Sequence, residues 1–465
     1  MSKVFVFCIG GTGIRVMKSI TMLMAGGMST NGHTVIPVIL DPHLNLQEKG
    51  DLDTLIENYK SIYNNSISAD DNARLNPLPG FFNSEIQLIG ELDQTLTATQ
   101  VVGANVSFSS YINEGALARN DINRHLIEAL FSQKNLNNKL SVGFKGNPNV
   151  GTVVLGKMIE DADWFDSFKR NCAEGDKIFI ISSIFGGTGA SGYPLLEKKI
   201  KGATDRPAIQ QALMGAVTVL PYFSLSDPAR SDSDIDSSNF YTKTKAALAY
   251  YEKTVKSDYL YYVGETSLKG EYVNNEQEQQ DAAHFIELVA ASAFFDFLTK
   301  PKPDVRQYLT RAIDNDRNSM SLKHLGNGYK DIVKSVADYM LLGHLIDILP
   351  KEKWFPLKKD RGFTENFYKD SSFTKIVDFT KRYSKWYSEL STNNRAFSPL
   401  RMDNKKDMSG WIKDITIDAK DESYYLLEMV KASNDCLESK HNNKFRFFLQ
   451  FAHKAIDLYT QKIFK

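Results

Sequence analysis

Five stretches of the chain are near-continuous runs of β-branched, aromatic and other apolar residues: Lys3–Ile9 (KVFVFCI), Thr34–Asp41 (TVIPVILD), Lys177–Ile184 (KIFIISSI), Ala212–Leu220 (ALMGAVTVL) and Asp258–Gly264 (DYLYYVG). Apolar runs without polar alternation are strands covered on both faces, the mark of a parallel sheet. Between them the apolar spacing lengthens to a helical period. It falls at Ile14, Met17, Ile20 and Met24 after the first run, and helices are predicted over Ala116–Phe131, Val153–Arg170, Tyr193–Lys201 and Phe240–Val255. Strands alternating with helices predict an α/β fold: a mostly parallel, Rossmann-like sheet with helices on both faces.

Two regions break this alternation. Asn64 to Thr99 is polar and rich in Asn, Asp, Ser and Gly, and reads as a long insertion or mobile loop. Beyond Asp304 strands become scarce while aromatics stay frequent, so a helix-rich C-terminal region is expected. Its last helix, FRFFLQFAHKAIDLYTQKIF, offers Phe445, Phe448, Phe451, Ile456 and Tyr459 to one face, for docking on the body of this protein or on a partner.

Composition narrows the classes. Lys+Arg and Asp+Glu both number 56, a net charge of zero, which argues against a generic nucleic-acid-coating protein. Cys8, Cys172 and Cys436 are too few and scattered for a disulfide framework or zinc site, and fit a reducing cytoplasm. The chain runs directly into its first strand, and no signal peptide is expected. The longest apolar run, FIELVAASAFFDFL, carries Glu287 and Asp296 and reads as a core helix, since a span needs about 20 apolar residues. The eight histidines show no paired metal spacing, and His344 reads as a packed core residue.

The chemistry lies in a repeated tetrapeptide. Gly10-Gly11-Thr12-Gly13 and Gly186-Gly187-Thr188-Gly189 each follow a strand and precede a helix, expected to start at Ile14 and near Ser191. Such a turn aims backbone N–H groups and a positive helix end at one anion, and glycine lets the backbone approach closely. Two such turns suggest two loops on one phosphorylated ligand. Neither carries the lysine of a P-loop. A dinucleotide fingerprint would need a third glycine where Val16 stands, although Asp41 matches the acid that holds an NAD ribose.

At these residues the chain resembles the tubulin and FtsZ superfamily, whose signature is G-G-G-T-G-[ST]-G after a strand. Gly186–Gly189 matches, with Phe185 in place of the first glycine and Ala190-Ser191-Gly192 displacing the last. Other landmarks follow in the family's order: the loop at Gly10–Gly13, then GFKGNPNVG (Gly143–Gly151), then VTVLPYFSLSDPAR (Val217–Arg230). SDYLYYVGE (Ser257–Glu265) then precedes a central helix over Gln277–Pro301. The likeness covers about residues 3–305 and is closest to divergent bacterial tubulin-like proteins. It implies a GTPase-type domain over 1–276, a central helix and following loop over 277–303, and a C-terminal domain over 304–465.

The resemblance implies GTP or GDP, with Mg2+ carried on the nucleotide. Gly10, Gly11, Thr12, Gly13, Gly186, Gly187, Thr188, Gly189, Ala190 and Ser191 would hold the α- and β-phosphates, and Gly146 and Asn147 would sit by the γ-phosphate. Asp227 and Arg230 fall near the ribose. Asp281, with Asn275 as runner-up, would read the guanine edge, although Asp281 also suits a helix start; His284 beside it reads as packing or helix support. In the family, hydrolysis uses carboxylates from the loop after the central helix of the next subunit. Asp304 is the one carboxylate in that loop here (TKPKPDVRQYL), where the family shows an Asn and two acids, and Asp314 and Asp316 lie further on. The first reading is a cytoplasmic GTP-binding protein assembling head to tail by self-association. The second is a non-polymerising switch or scaffold working with a partner protein, in a bacterial stress or phage-defence module. The third is an NAD-dependent oxidoreductase. No nucleic acid or transmembrane segment is expected.

Overall fold

The computed structural model describes residues 2–42, 47–66, 79–92, 106–140, 144, 146–160, 162–222, 224–225, 240–264, 271–272, 282–312, 325–326, 328–350, 363–392 and 443–460. Six strands form one all-parallel sheet: β1 (Lys3–Ile9), β2 (Thr34–Leu40), β3 (Lys177–Ser183), β4 (Leu213–Val219), β5 (Tyr259–Gly264) and β6 (Gln307–Ala312), in the order 2-1-3-4-5-6. The five expected runs are the first five strands. The sixth was not announced by pattern, because Gln307–Ala312 mixes polar residues with an exposed Tyr308.

Residues alternate between two cores, as the pleat requires. Val4, Val6 and Cys8 of β1 enter one; Phe5, Phe7 and Ile9 enter the other. The first core is covered by α1 (Gly10–Ala25), α2 (Gln47–Ser66), α7 (Phe285–Leu298), α8 (Tyr329–Ile348), α9 (Ser371–Thr392) and α10 (Lys444–Thr460). The second is covered by α4 (Asp163–Asn171), α5 (Gly187–Gly202) and α6 (Phe240–Thr254). The helix α3 (Pro148–Glu160) runs beside α5 and carries a small satellite core around Phe108, Phe131 and Phe144.

Several boundaries differ from expectation. The helix expected over Ala116–Phe131 is confined to Ile122–Leu130, where Asp121 caps its start. The one expected over Val153–Arg170 is two helices, α3 and α4, with extended backbone at Ala162 between them. Within the stretch read as an insertion, α2 runs on to Ser66, Phe81 and Phe82 are buried, and Ile86 bridges to Val35 at the sheet edge. The central helix is shorter than Gln277–Pro301. It begins at Phe285, where His284 Nδ1 accepts from the Ile286 amide and Glu287 returns a bond to the His284 amide. That reciprocal cap fixes the start, with 282–284 outside the helix.

α7 is buried on nearly every side, which is why its sequence is apolar all round. Among the described residues no helix is long and apolar enough to cross a membrane. The last helix docks on the body of this protein: Phe445, Phe448, Phe451 and Ile456 of α10 are buried in the first core. His344 is half-buried on α8.

Candidate functional site

The two glycine stretches leave the sheet from neighbouring strands. β1 ends at Ile9 and passes straight into Gly10–Gly13; β3 ends at Ser183 and reaches Gly186–Gly189. Strand order reverses between β1 and β3, so the stretches flank the switch point where α/β sheets open a ligand crevice. They also touch. Gly10 takes a positive φ of 72°, and a Cβ there would meet the Thr188 Cβ at 3.4 Å.

Both helices start earlier than their sequence suggests, at Gly10 and Gly187 rather than at Ile14 and near Ser191. The glycines form the first turns because those turns press on the strands. A Cβ on Gly13 would lie 2.6 Å from the Cys8 carbonyl carbon, and one on Gly189 2.5 Å from the Ser183 oxygen. Close approach outweighs the helix cost of glycine, about 1 kcal/mol per residue. Neither helix carries a side-chain N-cap bond or an acid in its first turn, so backbone N–H groups and two positive helix ends converge on one place.

A third loop joins them. A Cβ on Gly187 would sit 2.8 Å from Phe144 Cβ and 3.1 and 3.2 Å from the amide nitrogens of Asn147 and Gly146. Gly146 also has a positive φ, 71°. Lys243, on α6, reaches the same loop and donates to the Gly146 carbonyl at 2.8 Å. The arrangement can cradle a chain of phosphates with backbone amides from three loops and one nearby ammonium. Thr12 is buried and Thr188 half-buried. Ser191 is placed differently from expectation: its hydroxyl proton goes to the Gly187 carbonyl at 2.7 Å, inside α5. The Ala190 carbonyl accepts from Tyr251.

Behind the first loop lies a buried ionic cluster. Arg15 Nε donates to Glu287 at 2.7 Å, Nη1 to Glu48 at 3.2 Å and Nη2 to the Tyr222 hydroxyl at 3.1 Å; Tyr222 in turn donates to Glu287 at 2.7 Å. Burial pushes the Glu48 carboxyl up, against the pull of Arg15. His284 packs on the Tyr222 ring, and burial lowers its imidazole to about 4, so it is neutral at pH 7. The cluster ties the second turn of α1 to the first turns of α2 and α7 and to Tyr222, three residues beyond β4. A Cβ on Gly11 would meet both Arg15 Nη1 and Glu48 Oε2 at 3.5 Å.

One expected residue stands away from this crevice. Asp304 is exposed between α7 and β6, at the opposite edge of the sheet from the glycine loops. Strands of seven residues separate those edges by roughly 20 Å. Asp227, Arg230, Asn275 and Asp281, with Gly143 and Lys145 of the third loop, lie outside the described residues, as do Asp314 and Asp316. Phe185, which stands where a glycine was expected, is buried and packs edge-on to Tyr222. Asp41 follows β2 at the same edge as the glycine loops. Among the described residues no group of three His, Cys, Asp or Glu side chains is placed to hold a metal ion. Lys243, Glu48, Tyr222 and Glu287 were not singled out by sequence, since each acts through a partner distant in the chain. No protein-family model matches the chain, and no curated protein matches it.

Proposed function

We propose that the chain binds GTP and GDP as a tubulin/FtsZ-like protein and assembles head to tail, with the nucleotide at the boundary between subunits. The observation that carries this reading is the meeting of three glycine-bearing loops, Gly10–Gly13, Gly186–Gly189 and Phe144–Asn147, at the β1/β3 switch point. Gly10, Gly11, Thr12, Gly13, Gly187, Thr188 and Gly189 would hold the α- and β-phosphates, and Gly146 and Asn147 the γ-phosphate, with Lys243 beside them. Mg2+ would travel with the nucleotide, its remaining ligands supplied by phosphate and water.

The position of Asp304 supports the head-to-tail part. It stands at the far edge, so it serves the nucleotide of a neighbour rather than its own. There it would orient a water in line with the γ-phosphate and take its proton, giving GDP and phosphate. Heterologous contacts of this kind stack into open filaments. A single acid among Lys300, Lys302 and Arg306 favours, as second reading, a non-polymerising nucleotide switch of the same fold. The NAD reading is disfavoured because Val16, in place of the third fingerprint glycine, is fully buried in the core.

Sedimentation separates the two nucleotide readings. Pelleting with GTP but not GDP, and an Asp304→Ala protein that binds GTP normally while its turnover slows, support assembly. A monomer under every nucleotide condition removes it.

A further inference from the structure

The two flanks of the sheet differ. Outside β2 the chain covers itself: the Val35 amide donates to the Glu85 carbonyl at 2.9 Å, and the Val35 carbonyl accepts from Gln87 at 3.0 Å. Outside β6 the described residues supply no such cover. The Gln307 amide points inward, to the Asp258 carbonyl at 2.9 Å beside β5. Backbone direction alternates along a strand, so Leu309 and Arg311 also face β5, while Tyr308, Thr310 and Ala312 turn their N–H and C=O groups outward. Tyr308 is 52% exposed, and Thr310 is exposed beside it. The strand runs six residues, QYLTRA, with no proline to blunt it. An unbroken outer strand is a template for one more strand.

Side chains and charge say which kind. Tyr308 and Thr310 stand beside Leu260 and Tyr262 on the face of the second core, and Leu309 stands beside Tyr261 on the face of the first. Alternate residues of an added strand would meet these groups, which suits β-branched and aromatic side chains. The flank is also basic. Glu252–Asp258 and Lys300–Ala312, the segments that meet here, carry six Lys and Arg against three Asp and Glu. Of those acids, Asp258 turns to the Met214 amide. Lys300 and Arg311 share one further carboxylate, Asp296. Lys302 donates to the Gln211 carbonyl, and Arg306 lies over the Tyr308 ring and donates to its hydroxyl. Neither has a carboxylate partner within ion-pair distance among the described residues. Glu197, whose charge reaches Arg306, is buried and bonded by the Lys256 amide and the Ser257 hydroxyl.

We propose that β6 takes up an extended, acidic segment of a partner protein as a seventh strand. The outward backbone groups of Tyr308 and Thr310 hold it, and Lys302 and Arg306 select its carboxylates. In such complexes main-chain bonds give affinity, while side-chain pockets and charge choose the partner. The inference is independent of the nucleotide reading, since β6 lies three strands from β3 in the sheet.

Selection of phage-displayed random peptides on the immobilised full chain, then fluorescence anisotropy of the enriched peptides, tests it. Sequences bearing Asp and Glu among alternating β-branched or aromatic residues should be enriched, and their binding should weaken in high salt. Thr310→Pro deletes an outward N–H that no bond of the sheet uses, so it should fold as the native chain does and bind at least tenfold more weakly. N-methylation of every other peptide residue should abolish binding in one phase and spare it in the other, a test that leaves the protein unaltered. No enriched acidic peptide, undiminished binding to folded Thr310→Pro, or equal effects of the two methylation phases overturns the proposal. A nucleotide-free native chain that pairs with its own copy in sedimentation, and is released by Thr310→Pro, would put a second copy on this strand and overturn it too.

Discussion

Replacing Arg15 by methionine keeps the length of the side chain and removes the charge that joins α1 to α7. The side chain of Glu287 is 1% exposed and that of Arg15 9%, so their 2.7 Å pair lies away from water. Without Arg15, Glu287 keeps the Tyr222 hydroxyl and the His284 amide but loses its strongest donor. Leaving one partner of a buried pair costs about 3–5 kcal/mol, whereas removing both is far less costly. Arg15→Met should therefore destabilise by about 3–5 kcal/mol, and Glu287→Gln should recover part of that loss when added to it. The coupling between the two changes should be on the order of 1–3 kcal/mol. Urea unfolding of the four proteins, followed by far-UV circular dichroism at pH 7, closes the cycle. A loss under about 1 kcal/mol for Arg15→Met, or strict additivity, would refute the claim that this pair joins the first loop to the central helix.

Gly187→Ala drives a Cβ into Phe144 and the Gly146–Asn147 amides; GTP affinity should fall at least tenfold by calorimetry with secondary structure retained, and native affinity would make this glycine only a turn. Lys243→Gln frees the Gly146 carbonyl; affinity for the triphosphate should fall several-fold more than for the diphosphate, and equal losses would count against a γ-phosphate role. Stability should fall as pH drops from 7 to 5. His284 and His453 are held near 4 against about 6.5 unfolded, so the stability each contributes is present above 6.5 and fades below it. Each imidazole should cost about 2 kcal/mol by pH 5, partly offset by about 1 kcal/mol as Asp338, raised to about 6, regains its proton. His453→Phe should remove a large part of the pH slope in urea midpoints; an unaltered slope would show that this imidazole does not titrate in that window.

The sheet was legible where burial on both faces left the strands no polar alternation. β6 was not, because an edge strand such as Gln307–Ala312 takes its identity from its neighbour Tyr259–Gly264 rather than from its own pattern. α2 carried a readable signal in Leu52, Leu55, Ile56, Tyr59, Ile62 and Tyr63, all buried, behind an early Gly50. The glycine loops were legible as a pair, but their helix starts were not: propensity places glycine outside a helix, while packing on Cys8 and Ser183 draws it into the first turn. Arg15 was visible only as a position in a failed dinucleotide fingerprint. Its partners Glu48, Tyr222 and Glu287 lie far along the chain, and the fold alone brings them together.

The most direct test of the phosphate site is the nucleotide the protein carries. Purified chain, denatured and resolved by anion-exchange chromatography, should release GDP or GTP approaching one per chain, and Gly187→Ala should release far less. NAD in that position, or no nucleotide together with no measurable GTP binding, would contradict it.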